Sequence, residues 1–320
     1  MYYLAFDVSK DELDAVLTNL RTKTFSFKIK NSEQDILNWL DNTELPQKII
    51  AGCESTGGYH FLLQKIFVMK NIPFKLLNPI LTKQFIRTTI RKRKTDKSDS
   101  LIIAKLLAQG EGNLINESKL DIVAKVKQRM LKNLTVEIHK FNLMRKSLVF
   151  SNLGGSDIDT YLKEIQQSLK LAARNYFKDL SSAYADNQTI KLLTTIPGIG
   201  FRLALTIWTE IGDIHNFSHA KQLIAFAGLD PKIRQSGHCL NSQGKLTKRG
   251  SPYLRHALFL AANVARMYDP ELKTYYARKR SEGKRHTIAV CSVARKLINR
   301  IFAVWHRQTP FVKSLSIDSR

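Results

Sequence analysis

The chain has 320 residues, with 51 lysines and arginines against 27 aspartates and glutamates, a formal net charge of +24. That length allows a sizeable core and two or three structural units. The charge points to a polyanionic partner, most often nucleic acid, rather than to a merely basic soluble protein. Cys53, Cys239 and Cys291 form no CxxC pair and are too scattered for a disulfide framework, which fits a reducing, cytoplasmic compartment. No apolar run approaches the roughly 18 residues of a membrane span. The opening Met1-Tyr2-Tyr3-Leu4-Ala5-Phe6-Asp7 has no basic leader and reads as a strand rather than a signal peptide. No lipidation signal or lipid-facing basic helix indicates a membrane partner.

Residues 2–8, 13–18 and 24–30 read as three consecutive strands at hairpin spacing, the last alternating apolar and polar. Asn31 or Ser32 caps a helix carrying Ile36, Leu37, Trp39 and Leu40. Residues 48–53 form a short buried strand ending at Glu54, followed by a Ser55-Thr56-Gly57-Gly58 turn and a helix from Tyr59 to Lys70. Residues 73–77 give another strand, Pro79 opens a helix, and Ser100 to Ala108 reads as an apolar helix. A meander followed by crossover units describes a mixed sheet flanked by helices.

From about residue 118 the pattern is purely helical. Val123, Val126, Met130, Leu134, Ile138, Phe141, Met144 and Leu148 recur at helical spacing, Gly154-Gly155 interrupts, and Ile158, Tyr161, Leu162, Ile165, Leu169, Ala172 and Tyr176 resume it. This predicts an antiparallel two-helix arm with the two stripes packed on each other. The remainder is expected to be mainly α, with one glycine-bearing loop over 237–250 and a helix capped by Ser251 with Pro252 in its first turn. The divisions are 1–115, 116–186 and 187–320.

Four acids stand out. Asp7 and Glu54 end predicted strands, where ligands bind in open sheets. Asp96 and Asp99 open a helix behind the basic run Arg91-Lys92-Arg93-Lys94. Alone, this pair reads equally as helix capping and dipole compensation. Together with Asp7 and Glu54 it offers four hard oxygen donors, the set that two Mg²⁺ or Mn²⁺ ions take. Two such ions about 3.5–4 Å apart assist in-line attack on a phosphodiester.

The strand and helix order with these acids resembles a RuvC-like, ribonuclease-H-type core with a DEDD metal site. The words Phe6-Asp7-Val8-Ser9-Lys10, Glu54-Ser55-Thr56-Gly57, Lys94-Thr95-Asp96-Lys97-Ser98-Asp99, Ala225-Phe226-Ala227-Gly228-Leu229-Asp230-Pro231, Arg234-Gln235-Ser236-Gly237 and Thr247-Lys248-Arg249-Gly250-Ser251-Pro252-Tyr253-Leu254-Arg255 are similar to the DEDD insertion-sequence transposases related to the Piv DNA invertase. The resemblance implies Mg²⁺ or Mn²⁺ bound by Asp7, Glu54, Asp96 and Asp99. It also implies Ser236 as the nucleophile joined covalently to DNA. The implied partners are donor and target DNA, a structured noncoding guide RNA, and a homodimer assembling into a tetrameric synapse. The implied setting is the prokaryotic cytoplasm, at the nucleoid. An invertase or a Holliday-junction-type nuclease on the same core is the alternative.

Read by itself, Ser236 is a loop serine suited to a turn hydrogen bond. It needs a base or metal to act as a nucleophile. His238 is a candidate activator, and Ser242 and Ser251 are rivals, Ser251 being well explained as a cap. Ile196-Pro197-Gly198-Ile199-Gly200 reads either as a helix-hairpin-helix turn offering Gly198 and Gly200 N–H groups to a phosphate or as a tight interhelical turn. Arg87, Arg91, Lys92, Arg93, Lys94, Lys97, Arg234, Lys245, Lys248 and Arg249 are candidate phosphate contacts, with Arg278 to Arg280, Lys284, Arg285 and His286 as an extension. No GxxxxGK[ST], HExxH or zinc spacing occurs.

Overall fold

The structure, a computed structural model, describes residues 1–55, 58–88, 96–115, 122–231, 235–236, 239–240 and 246–312. At a few of these, Asp96, Lys97 and Ser236 among them, only the backbone is described. The chain divides into two compact units, Met1–Ile122 and Val123–Arg320.

In the first unit β1 (Tyr2–Val8), β2 (Glu12–Thr18) and β3 (Thr24–Lys30) form the meander that the alternation predicts. β4 (Ile49–Glu54) and β5 (Phe74–Leu77) continue the sheet in the order β3-β2-β1-β4-β5-β6. β1, β4 and β5 run parallel, and β2, β3 and the closing edge strand β6 (Asn113–Ile115) are antiparallel to their neighbours. β6 has no counterpart in the sequence reading: three residues are too few to show an alternation.

Between the strands run α1 (Glu33–Asp41), α2 (His60–Met69), α3 (Pro79–Thr88) and α4 (Asp96–Ala108). Ser32 caps α1, its hydroxyl accepting from Asp35 N–H. The parity of β1 divides the core. Leu4 and Phe6 point to one face, where they pack with Ile36, Leu40, Leu63, Ile66 and Phe67 of α1 and α2. Ala5 points to the other, where Leu77 and Ile103, Ala104, Leu106 and Leu107 of α4 form a second core.

In the second unit α5 (Ile122–Phe150) and α6 (Asp157–Ala183) make the helical arm, each about 40 Å long. The predicted stripes divide: Leu134, Ile138, Phe141, Leu148, Leu162 and Leu169 are half-buried, whereas Met130, Met144, Ile158, Tyr161 and Ile165 are exposed, and polar contacts also join the two helices. Arg145 Nε donates to Asp159 Oδ1 at 2.6 Å, and the Gln166 amide donates to Asn142 Oδ1. Helical spacing shows which residues share a face, but not whether that face meets the neighbouring helix or solvent.

The rest comprises α7 (Gln188–Thr194), α8 (Phe201–Ile211), a 3₁₀ turn (Ile214–Asn216), α9 (Ala220–Phe226), α10 (Pro252–Tyr268), α11 (Pro270–Ser281) and α12 (His286–Arg307). A two-residue ribbon, β7 (Gln235–Ser236) with β8 (Cys239–Leu240), interrupts the helices. Ala261, Ala262 and Ala265 of α10 are buried and small, as close helix approach requires. Among the described residues, no helix is long and apolar enough to cross a membrane.

Candidate active site

Phe6 pairs with Cys53 in the parallel β1–β4 ladder, so Asp7 and Glu54 follow side by side at the ends of adjacent strands. Strand parity puts both on the sheet face that carries α4, since Asp7 follows Tyr3 and Ala5, and Glu54 follows Ile50 and Gly52. α4 crosses β1, β2 and β4. Its sheet-facing stripe of Ser100, Ile103, Ala104 and Leu107 continues by helical spacing to Asp96 and Asp99 at the N-terminal end. Ser100 fixes that end, its hydroxyl donating to the Asp14 carbonyl at 2.7 Å. Backbone placement therefore directs Asp7, Glu54, Asp96 and Asp99 to one end of one sheet face. Asp99 is half-buried, and the side chain of Asp96 is outside the described residues.

Three further residues shape this corner, and the sequence reading misses them. Asp14 stands directly opposite Asp7 across the β1–β2 ladder and so shares its face. Like charges directly opposite repel, and Lys28, 4.0 Å from Asp14, offsets part of this from β3. The short connection between β1 and β2 was the available signal, because it determines which residues face each other. Thr82 of α3 is buried, and its hydroxyl donates to Glu54 Oε2, orienting that carboxylate. Gly52 lets α4 lie close: a Cβ there would stand 2.6 Å from the Lys75 carbonyl oxygen and 2.8 Å from Leu107 Cδ2. Behind the sheet, burial and then the charges of Glu54 and Asp7 push the Cys53 thiol far up, so it is inert.

These carboxylates fit a divalent cation: hard oxygen donors of one sign, gathered on one face, repel unless a cation offsets them. Among the described residues, no three acidic, histidine or cysteine side chains are already drawn together around one point.

The serine segment is built differently, in the second unit. Ser236 pairs with Cys239 across residues 237–238. The ribbon springs from a pinned base. Thr247 N–H donates to the Asp230 carbonyl at 3.0 Å, its hydroxyl donates to Asp230 Oδ1, and Lys248 N–H donates to the Gly228 carbonyl at 3.2 Å. Gly250 makes that base possible, since a Cβ there would stand 1.6 Å from the Phe226 carbonyl oxygen. Gly228, at φ +67°, lies equally close to Arg249 and Gly250. Ser251 caps α10 by accepting from Leu254 N–H at 3.2 Å, and it donates to Glu210 at 2.8 Å.

Lys248 and Arg249 are exposed beside this base. Arg91, Lys92, Arg93, Lys94, Arg234, His238, Ser242 and Lys245 lie outside the described residues, and Lys97 and Arg87 are placed by backbone alone. In the Pro-Gly turn the two glycines differ. Gly198, at φ +89°, lies on α10, where a Cβ would be 2.6 Å from the Ala261 carbonyl oxygen. Gly200 has open space beside it and caps α8 without a side chain, at the edge of an open cleft of about 620 Å³. On α11, Arg278 and Lys279 lie against the Tyr275 ring, and Lys279 also pairs with Glu282.

A mixed sheet with carboxylates at adjacent parallel strand ends, and a helix starting in carboxylates across them, defines a RuvC-like domain of the DEDD type. Residues 4–140 match the IS110-type DEDD transposase family, and residues 190–277 match the family described as Transposase IS116/IS110/IS902. Pilin gene-inverting protein of Moraxella lacunata is 26% identical, with 98% of each chain covered. The transposase for insertion sequence element IS1111A of Coxiella burnetii is 23% identical over 67% of this chain and 66% of its own. An uncharacterized 43.6 kDa protein of insertion element IS110 from Streptomyces coelicolor is 36% identical over 35% of this chain and 28% of its own. The chain carries the two domains of IS110/IS116/IS902-type transposases and is a DNA-cleaving recombinase of that family.

Proposed function

We propose that this chain is the transposase of an insertion sequence, cutting and rejoining DNA through a covalent serine–DNA intermediate. The observation that carries this reading is the gathering of Asp7, Glu54, Asp96 and Asp99 at one end of the sheet face under α4, in a chain matched by transposase families on both sides of its arm.

Asp7, Glu54, Asp96 and Asp99 would hold Mg²⁺ or Mn²⁺, which when bound lowers the pKa of an attacking oxygen and stabilises the leaving one. Thr82 keeps Glu54 aimed at that face, and Ser100 holds the acidic end of α4 against β2. Ser236 Oγ would attack the scissile phosphorus. The Oγ–P bond forms as a P–O bond of the strand breaks, leaving a strand hydroxyl. That hydroxyl or its counterpart then attacks the phosphoserine, which releases Ser236 and rejoins DNA. Arg91, Lys92, Arg93, Lys94, Lys97, Arg234, Lys245, Lys248 and Arg249, with the N–H groups around Gly198 and Gly200, would hold phosphates of donor DNA, target DNA and a noncoding guide RNA.

The exposed apolar residues of the arm, Met130, Leu143, Met144, Ile158, Tyr161 and Ile165, support pairing with a second copy. A dimer would let the carboxylates of one subunit and the serine of another form a composite site. The divisions 1–115, 116–186 and 187–320 are then the catalytic domain, the pairing arm and the serine domain.

DNA inversion is a second reading, favoured by the match to a pilin gene-inverting protein over 98% of both chains. Inverted repeats around the gene would support it, and a structured noncoding segment beside the gene would support transposition. The chemistry is tested by incubating the protein with paired DNA ends and Mg²⁺ and looking for protein covalently joined to DNA. Ser236→Ala is expected to give none, and an adduct mapped to another residue would remove Ser236 from the role.

A further inference from the structure

A second candidate site lies inside the helical unit, with mostly apolar walls and a few charged side chains, and neither matched family description assigns it. It is a cavity of about 170 Å³ between α5, α8 and α10. Pockets for drug-sized ligands run to about 300–1,000 Å³, so this one takes a small group and not a nucleobase with its sugar. Its mouth carries Lys132, Arg202 and His256. Lys132 Nζ donates to His256 Nε2 at 2.8 Å, and Arg202 donates to the Thr135 hydroxyl at 2.7 Å.

Among the described residues, the one carboxylate lining the cavity, Glu210, is already committed. Arg129 donates to both of its oxygens, at 2.7 and 2.9 Å, and Ser251 donates a third bond at 2.8 Å. Lys132 and Arg202 have no carboxylate partner among the described residues. Burial, and then the neighbouring Arg202 charge, holds the Lys132 amine below its usual value. Burial and Lys132 likewise keep His256 low, so its ring is neutral at pH 7 and free to accept.

The inner wall also holds one buried polar atom without a partner. Gln128 is 4% exposed, its amide nitrogen donates to the Thr206 hydroxyl, and its buried Oε1 has no hydrogen-bond partner. An orphaned buried acceptor is costly. An occupant that suits Lys132 and Arg202 presents anionic oxygens to both.

We propose that this cavity is a phosphate-binding site, taking one backbone phosphate of the nucleic acid on which the recombinase acts. Lys132 and Arg202 bind the phosphate oxygens, and His256 orients Lys132. The assignment of the phosphate to a nucleic acid rests on the recombinase reading. The cavity would anchor the polymer in register, by the same chemistry whatever the sequence.

The test uses the full chain and contains no strand-cleavage step, so it stands apart from the serine chemistry. Lys132 is labelled with an amine-reactive acylating reagent, and the modified residues are read by mass spectrometry. Inorganic phosphate at millimolar concentration should protect Lys132, and DNA or RNA should protect it at far lower concentration. In Lys132→Gln/Arg202→Gln, phosphate affinity should fall about tenfold or more. The slope of log affinity for nucleic acid against log salt should shrink by about 1. Lys146→Gln/Lys273→Gln, the same charge change at exposed sites, should leave phosphate affinity unchanged. Unchanged labelling with phosphate and with polymer, which needs no variant to fold, overturns the site. Protection by free phosphate but by neither polymer overturns the backbone assignment, leaving a site for a free anion.

Discussion

The carboxylate corner and the serine ribbon set the same problem, the placement of a polar side chain, and the chain solves it in two ways. The carboxylates stand on a six-stranded sheet whose register extends over whole strands, so one hairpin or ladder fixes each position. The serine stands in a pair of two-residue strands flanked, among the described residues, by the hydrogen bonds of the base between Gly228–Asp230 and Thr247–Gly250. Acids can be placed by long-range order, whereas Ser236 is placed by a few backbone bonds at a loop's foot.

The sharpest way to break the comparison acts on the carboxylates. Asp99→Asn should lower strand cleavage about a thousandfold or more, the loss expected of a metal-assisted step, with DNA binding retained in a filter or gel-shift measurement. Retained cleavage would take the acids out of the chemistry.

Next is the support beneath the serine ribbon. Glu210→Gln leaves Arg129 facing a neutral group in a buried setting and should cost about 3–5 kcal/mol in urea unfolding. Its pH signature follows from opposing influences. Burial pushes the Glu210 carboxyl up, but the Arg129 and Lys125 charges and the Ser251 hydroxyl hold it below its usual value. A carboxyl depressed on folding contributes stability above its unfolded pKa and loses it as pH falls through the folded one. Wild-type stability should therefore drop below about pH 4.5, near the ordinary glutamate range, more steeply than in the Gln variant.

Smaller effects separate the regions further. Gly250→Ala should destabilise the serine unit by about 2–4 kcal/mol, because the clash is with backbone and not with a yielding side chain. Gly52→Ala should cost the sheet unit about 1–3 kcal/mol, since part of its clash is with the flexible Leu107 end. Limited proteolysis with urea melts of each variant would show whether each loss stays in its own unit. Thr82→Val, the mildest change, should reduce cleavage about tenfold and lower the stability of the sheet unit by only about 1 kcal/mol, as loss of one hydrogen bond to Glu54 implies.

Much of the first unit was legible from local pattern. Alternation marked the three meander strands, and cap and proline signals marked α1, α3 and α10. Apolar runs ending in Asp7 and Glu54 also showed which acids close strands. The arm shows the limit of the same reasoning. Its periodicity was read correctly as two long helices, yet residues such as Tyr161 and Met130 face solvent. Spacing carries no information about which neighbour a face will meet.

The sequence by itself determined the charge, the element types and the family likeness, because these depend on composition and on residues close in the chain. Only the tertiary structure set Asp14 opposite Asp7, brought Thr82 to Glu54, and enclosed Lys132, Arg202 and Gln128 around one cavity. Lys132 and Arg202, on different helices, stand 70 residues apart in the chain. Their meeting depends on how α5 and α8 pack, and packing is decided by the summed shape of many side chains, which no local window of sequence contains.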